Sequence, residues 1–71
     1  MTKLQAYLYL SRVSDEVSFL ANIILTRHKN PAKRLKRLVK LVDDGRDVRL
    51  AGFSCDVLLL DGKKVEWSIL G

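Results

Sequence analysis

Residues 30–45 read NPAKRLKRLVKLVDDG, a stretch that carries both ends of a helix and a single amphipathic face between them. Asn30 offers an N-cap oxygen. Pro31 suits the first helical position, where its missing N–H would have had no partner anyway, and Gly45 provides a left-handed stop. Leu35, Leu38, Val39 and Val42 recur at i, i+3, i+4 and i+7, so at 100° per residue they share one stripe with Pro31 and Ala32. Lys33, Lys36, Arg37 and Lys40 occupy the opposite arc, with Arg34 and Leu41 at a border. The spacing predicts a helix that is apolar inside and presents a row of cations outside.

Upstream, Ser14 followed by Asp15 and Glu16 is a helix start: a side-chain oxygen for the free N–H groups and negative charge at the positive end of the dipole. The helix expected from Asp15 to His28 places Val17, Leu20, Ala21, Ile24 and His28 on one face. Phe19 and Ile23 form a second apolar patch on the far side, which reads as a candidate interface, including one with another copy of the chain.

Downstream the period changes from helical to two. Phe53, Cys55, Val57 and Leu59 alternate with Ser54, Asp56, Leu58 and Leu60, and Val65, Trp67 and Ile69 alternate with Lys64, Glu66 and Ser68. Two strands joined at Asp61-Gly62 follow. A two-residue turn would pair Leu60 with Lys63 and set Trp67 opposite Asp56, mixing apolar and polar on each face. A bulged three-residue loop pairs Leu59 with Lys63, Val57 with Val65, Cys55 with Trp67 and Phe53 with Ile69, and is the expected register. Leu58 and Leu60 on the other face place the first of these strands inside the sheet and the last at an edge. Arg46 to Ala51 reads as a further short strand, with Gly52 as a bend.

At the start of the chain Leu4, Ala6, Leu8 and Leu10 alternate with Gln5, Tyr7, Tyr9 and Ser11, the pattern of a strand. Thr2 with Gln5 is also a capping box, and Leu10, Val13, Val17, Leu20 and Ile24 fit one long helix. The tyrosines favour the strand, as does the need for three or more strands in a stable sheet. The fold class expected is therefore α+β: two helices packed on one face of a small three- or four-stranded, mainly antiparallel sheet, in the order β-α-α-β-β-β, with α-α-β-β as the alternative.

With 71 residues, 48% hydrophobic and 30% charged, the composition is that of a single small domain, residues 1–71. Its small core makes a homodimer an economical way to bury more surface. One cysteine, Cys55, and one histidine, His28, cannot build an internal disulfide or a four-ligand Cys/His metal cage. No apolar run approaches the length of a membrane span, and no long apolar segment follows a basic start. These features read as a cytoplasmic protein without a metal or cofactor.

The charge is uneven. Thirteen Lys and Arg against eight Asp and Glu give +5, yet residues 27–40 hold seven of the basic side chains and no acid, leaving the rest of the chain at −2. Arg27, Lys29, Lys33, Arg34, Lys36, Arg37 and Lys40 form an electrostatic pole that attracts polyanions, and an ordinary surface helix would intersperse Glu among its lysines. They are the candidate nucleic-acid-binding residues, and the expected function is that of a small non-catalytic accessory or regulatory protein that holds nucleic acid. The alternative is a protein-interaction module, a small inhibitor or assembly factor, that covers Phe19 and Ile23 and steers its cations to an acidic partner.

Other constellations have plainer explanations. His28 closes a helix beside Arg27 and Lys29, Cys55 reads as a small buried hydrophobe, and Asp43, Asp44 and Asp47 around Gly45 lack calcium-loop spacing and read as a turn. Trp67 reads as core, while Tyr7 and Tyr9 are candidates to stack on unpaired bases. A winged helix would use the Asp61-Gly62 hairpin as its wing but needs a third helix, and the link His28-Lys29-Asn30-Pro31 lacks the glycine expected of a helix-turn-helix. A ribbon-helix-helix dimer would place the outward side chains of residues 3–11 on bases. The order β-α-α-β-β-β with a basic helix is similar to that of the RelE and ParE type of small toxins, some of which cut messenger RNA on the ribosome. That similarity implies an Arg, Tyr and His set on the last strands, where this chain has Lys63, Lys64, Glu66 and Trp67.

Overall fold

The computed structural model describes residues 1–52 and 57–67. Three helices, α1 (Lys3–Ser11), α2 (Asp15–Arg27) and α3 (Pro31–Asp43), precede three strands, β1 (Val48–Leu50), β2 (Val57–Leu60) and β3 (Lys63–Glu66). The class is α+β, as expected. The order is α-α-α-β-β-β, so the strand expected at residues 3–11 is corrected to a helix.

Local chemistry explains the correction. Thr2 Oγ1 accepts from the Gln5 N–H at 3.2 Å, while the Thr2 N–H donates to Gln5 Oε1 at 2.8 Å, closing the capping box. Two otherwise free donors are thereby satisfied. The alternating apolar residues resolve into two i, i+4 pairs on opposite sides: Ala6 and Leu10 are buried, while Leu4 and Leu8 are exposed. Nor does α1 run on into α2. Ser14, extended at φ −165°, interrupts the two and caps the second, its hydroxyl accepting from the Val17 N–H at 3.2 Å.

The ends of α3 are those expected, with one difference. Pro31 stands in the first turn, but Asn30 makes no side-chain cap hydrogen bond. At the other end Gly45 (φ 80°) donates to the Val42 carbonyl and Arg46 to the Leu41 carbonyl, both at 3.0 Å, which is a Schellman motif. Asp44 is the C-cap of this turn.

The antiparallel sheet has the order β1-β2-β3, so β2 is central and β3 at an edge, as expected. Its hairpin register is a correction. Leu60 pairs with Lys63, Leu59 with Lys64, Leu58 with Val65 and Val57 with Glu66, across a two-residue turn in which both Asp61 (φ 54°) and Gly62 (φ 84°) are left-handed. Two positive φ values match the right-handed strand twist better than the bulged loop. The neighbour on the other side decides the face: Val48 pairs with Leu60 and Leu50 with Leu58, so Val48, Leu50, Leu58, Leu60 and Val65 share the face turned to the helices. A one-residue shift would have turned Leu58 and Leu60 out. The expected pairing of Phe53 with Ile69, and Cys55 itself, lie outside the described residues.

The three helices pack on one another and α2 lies on β1. One cluster joins Ala6 and Leu10 of α1, Val17, Leu20, Ala21 and Ile24 of α2, Leu35, Leu38 and Leu41 of α3, Val48, Leu58 and Leu60 of the sheet, and Trp67. The Tyr7 hydroxyl donates to Asn22 Oδ1 at 2.7 Å, fastening α1 to α2. No described helix is long and apolar enough to cross a membrane.

Asp61 ties the hairpin turn back to the start of β1. Its carboxylate accepts from the Asp47 backbone N–H at 3.1 Å and from Arg46 Nε at 2.6 Å, and its own N–H donates to the Asp47 carbonyl at 2.8 Å. The Asp47 N–H first, and then Arg46, hold the Asp61 carboxyl below its ordinary range. A depressed native pKa adds stability that is present above the unfolded-state pKa and lost as pH falls through the native one. The variant Asp61→Asn keeps a residue tolerant of positive φ while removing the charge. Thermal melts will show it less stable than the parent at pH 7, with the gap closing as the pH is lowered below the ordinary carboxylate range.

Candidate nucleic-acid interface

The inner side of α3 determines where its cations point. Leu35, Leu38 and Leu41 are the buried residues of the helix, whereas Val39 and Val42 are half-buried. The apolar stripe expected around Leu35, Leu38, Val39 and Val42 is therefore rotated toward Leu41. Arg34 precedes Leu41 by seven residues, two turns along the same side, and is drawn inward with it.

Arg34 accordingly leaves the row of cations. Its guanidinium carbon lies 5.6 Å from the centroid of the Trp67 ring, and the side chain is half-buried. The attraction of the cation to the π-face offsets part of the cost of removing charge from water. Arg34 Nη1 and Trp67 Nε1 are both buried with no hydrogen-bond partner among the described residues. His28, the C-cap of α2, presents its ring edge-on to the same indole with centroids 6.3 Å apart. Trp67 is core, as expected, at 3% exposure.

Of the seven cations expected at the site, Lys33, Lys36, Arg37 and Lys40 are exposed on one arc of α3, away from the buried leucines. Arg27 at the end of α2 and Lys29 in the link to α3 are also exposed. The ion pairs among the described residues are Arg46 with Asp61 and Arg49 with Asp47, at the other end of the chain. No described carboxylate therefore lies within 4 Å of any of these six cations.

The second pair of candidates is divided. Phe19 is 47% exposed whereas Ile23 is buried, so they do not form one open patch. Tyr9 is exposed, and Tyr7 is half-buried and hydrogen-bonded to Asn22. Two exposed lysines, Lys63 and Lys64 on β3, were outside the expected site; only the hairpin register reveals that they flank the turn on opposite faces.

Compared with known protein families, curated proteins and solved structures, the chain matches none. The similarity to the small toxins rested on an element order that the fold does not have.

Arg34 and Lys36 are thus separable by experiment. Arg34→Ala loses the ring contact and the packing of its stem, and urea denaturation will show a destabilisation of about 1–2 kcal/mol. Lys36→Ala will lie within about 0.5 kcal/mol of the parent, as a solvated position should.

Proposed function

We propose that the chain is a small, non-catalytic, cytoplasmic accessory or regulatory protein that holds nucleic acid on the outer face of α3. The observation that carries the reading is the single arc of Lys33, Lys36, Arg37 and Lys40, exposed and without acidic partners among the described residues. Cations arranged in this way along a helix neutralise successive phosphates, and counterion release then supplies affinity that depends little on sequence. The electrostatic pole is also mechanically sound: the same helix buries Leu35, Leu38 and Leu41, so the charges stand on a fixed element.

Duplex DNA is the favoured form of the ligand. A helix with its side chains is about 10–12 Å across and enters a major groove about 12 Å wide. The parts used by a winged helix are present, since α1 supplies the third helix, α3 follows α2 after the short link 28–30, and the β2–β3 hairpin carries exposed Lys63 and Lys64 beside its turn. That correspondence is an analogy of parts. The cations themselves support phosphate contact; base readout has no residue set assigned to it. An acidic protein partner is the competing occupant of the same face.

Fluorescence anisotropy with a generic duplex separates them. The expected result is binding at low salt that weakens roughly 10²–10³-fold over a fourfold rise in salt, as contact with about four to six phosphates requires. The double variant Lys36→Glu, Lys40→Glu will bind at least about tenfold more weakly, with a shallower salt slope, while its circular dichroism is unchanged. Absence of duplex binding by the folded parent at low salt overturns the proposal and leaves the acidic partner.

A further inference from the structure

The outward side of α1 is apolar. Helical spacing puts Leu4 and Leu8 opposite the buried Ala6 and Leu10, with Tyr9 at the edge of the exposed arc, while Met1 precedes the N-cap Thr2 and Val13 follows the C-cap Arg12. Met1 and Leu4 are each 63% exposed, Leu8 47% and Val13 42%. A shallow groove lined by Met1, Gln5, Leu8, Tyr9, Arg12 and Val13 runs along this side. With the exception of Phe19, every large hydrophobic exposed among the described residues belongs to this one strip. A helix whose leucines face water is the reverse of an ordinary surface helix, whose apolar arc faces the core.

We infer that the α1 strip is the interface through which two copies of this chain associate, with their α1 helices antiparallel about a twofold axis. Three features favour a second copy as occupant. The first is area. Taking a fully exposed large side chain at roughly 200 Å², the strip presents on the order of 500 Å² per copy, and the flanking stems of Gln5 and Arg12 bring the total for two copies near the lower bound of about 1,200 Å² for a stable interface. The second is charge. With the axis near Leu8 and Tyr9, Arg12 meets the uncharged Gln5 of the other copy, so the strip opposes no like charges. A rise of 1.5 Å per residue leaves the two Arg12 side chains about 10 Å apart along the axis. The third is symmetry: an isologous contact needs only one patch, and the described residues expose one such strip. The inference is independent of what α3 binds.

Sedimentation equilibrium of the full chain, from micromolar to submillimolar concentration at physiological salt, tests it. The expected result is twice the mass of one chain at the upper end. Leu8→Lys will weaken self-association at least about tenfold while far-UV circular dichroism stays helical. The pair Leu4→Ala, Leu8→Ala gives the same loss without adding charge and serves if the lysine variant does not fold. A single-chain mass throughout, or a dimer indifferent to changes at Leu4 and Leu8, overturns the proposal.

Discussion

Burial of Leu35, Leu38 and Leu41 beneath α3 is the constraint on which the rest of the molecule depends. Each leucine in such a core contributes several kcal/mol, about 2–5 by truncation to alanine, whereas an exposed lysine contributes a fraction of one. The leucines therefore set the rotation of the helix and the charges follow. Lys33, Lys36, Arg37 and Lys40 point away because the opposite side is occupied, and Arg34 is carried to Trp67 because it stands on Leu41's side. The electrostatic pole is a by-product of packing in its geometry, though not in its composition: nothing in core formation requires that side of α3 to lack acid.

The same economy governs the sheet. Leu58 and Leu60 on the central strand are held inward by two neighbours at once, β1 through Val48 and Leu50 and β3 through Val65. Asp61 then secures the turn from outside, its carboxylate bridging to Arg46 and to the Asp47 backbone N–H. This device is exposed and electrostatic, whereas the packing beneath it is apolar. Turn and face agree on one register, and that agreement selects the two-residue loop over the bulged one.

Alternation of apolar residues at the start of the chain has two structural solutions, and α1 shows why pattern alone does not choose between them. Residues spaced by two lie on one face of a strand, but on a helix they divide into two opposed stripes. Leu4 and Leu8 form one, Ala6 and Leu10 the other, and the single chain covers only the second. The capping box of Thr2 and Gln5 was the local signal for the helix. The β-preference of Tyr7 and Tyr9 points the other way, yet Tyr7 serves as a helix-to-helix hydrogen-bond donor.

What could be read directly from residue order was whatever depends on neighbours within a few positions. The limits of α2 and α3, the left-handed stop at Gly45, the central place of β2 and the clustering of cations in residues 27–40 all rest on caps, periods and counts of this kind. Tertiary packing decided the rest, because each remaining question concerned which of two possible faces meets a partner distant in sequence. The side of α1 that is buried, the face of β2 that turns inward, the concealment of Ile23 and the withdrawal of Arg34 to Trp67 are all choices between nearly equivalent local patterns. Only contact with another element removes water from one face and leaves it on the other, and that difference in burial is the free energy that settles them.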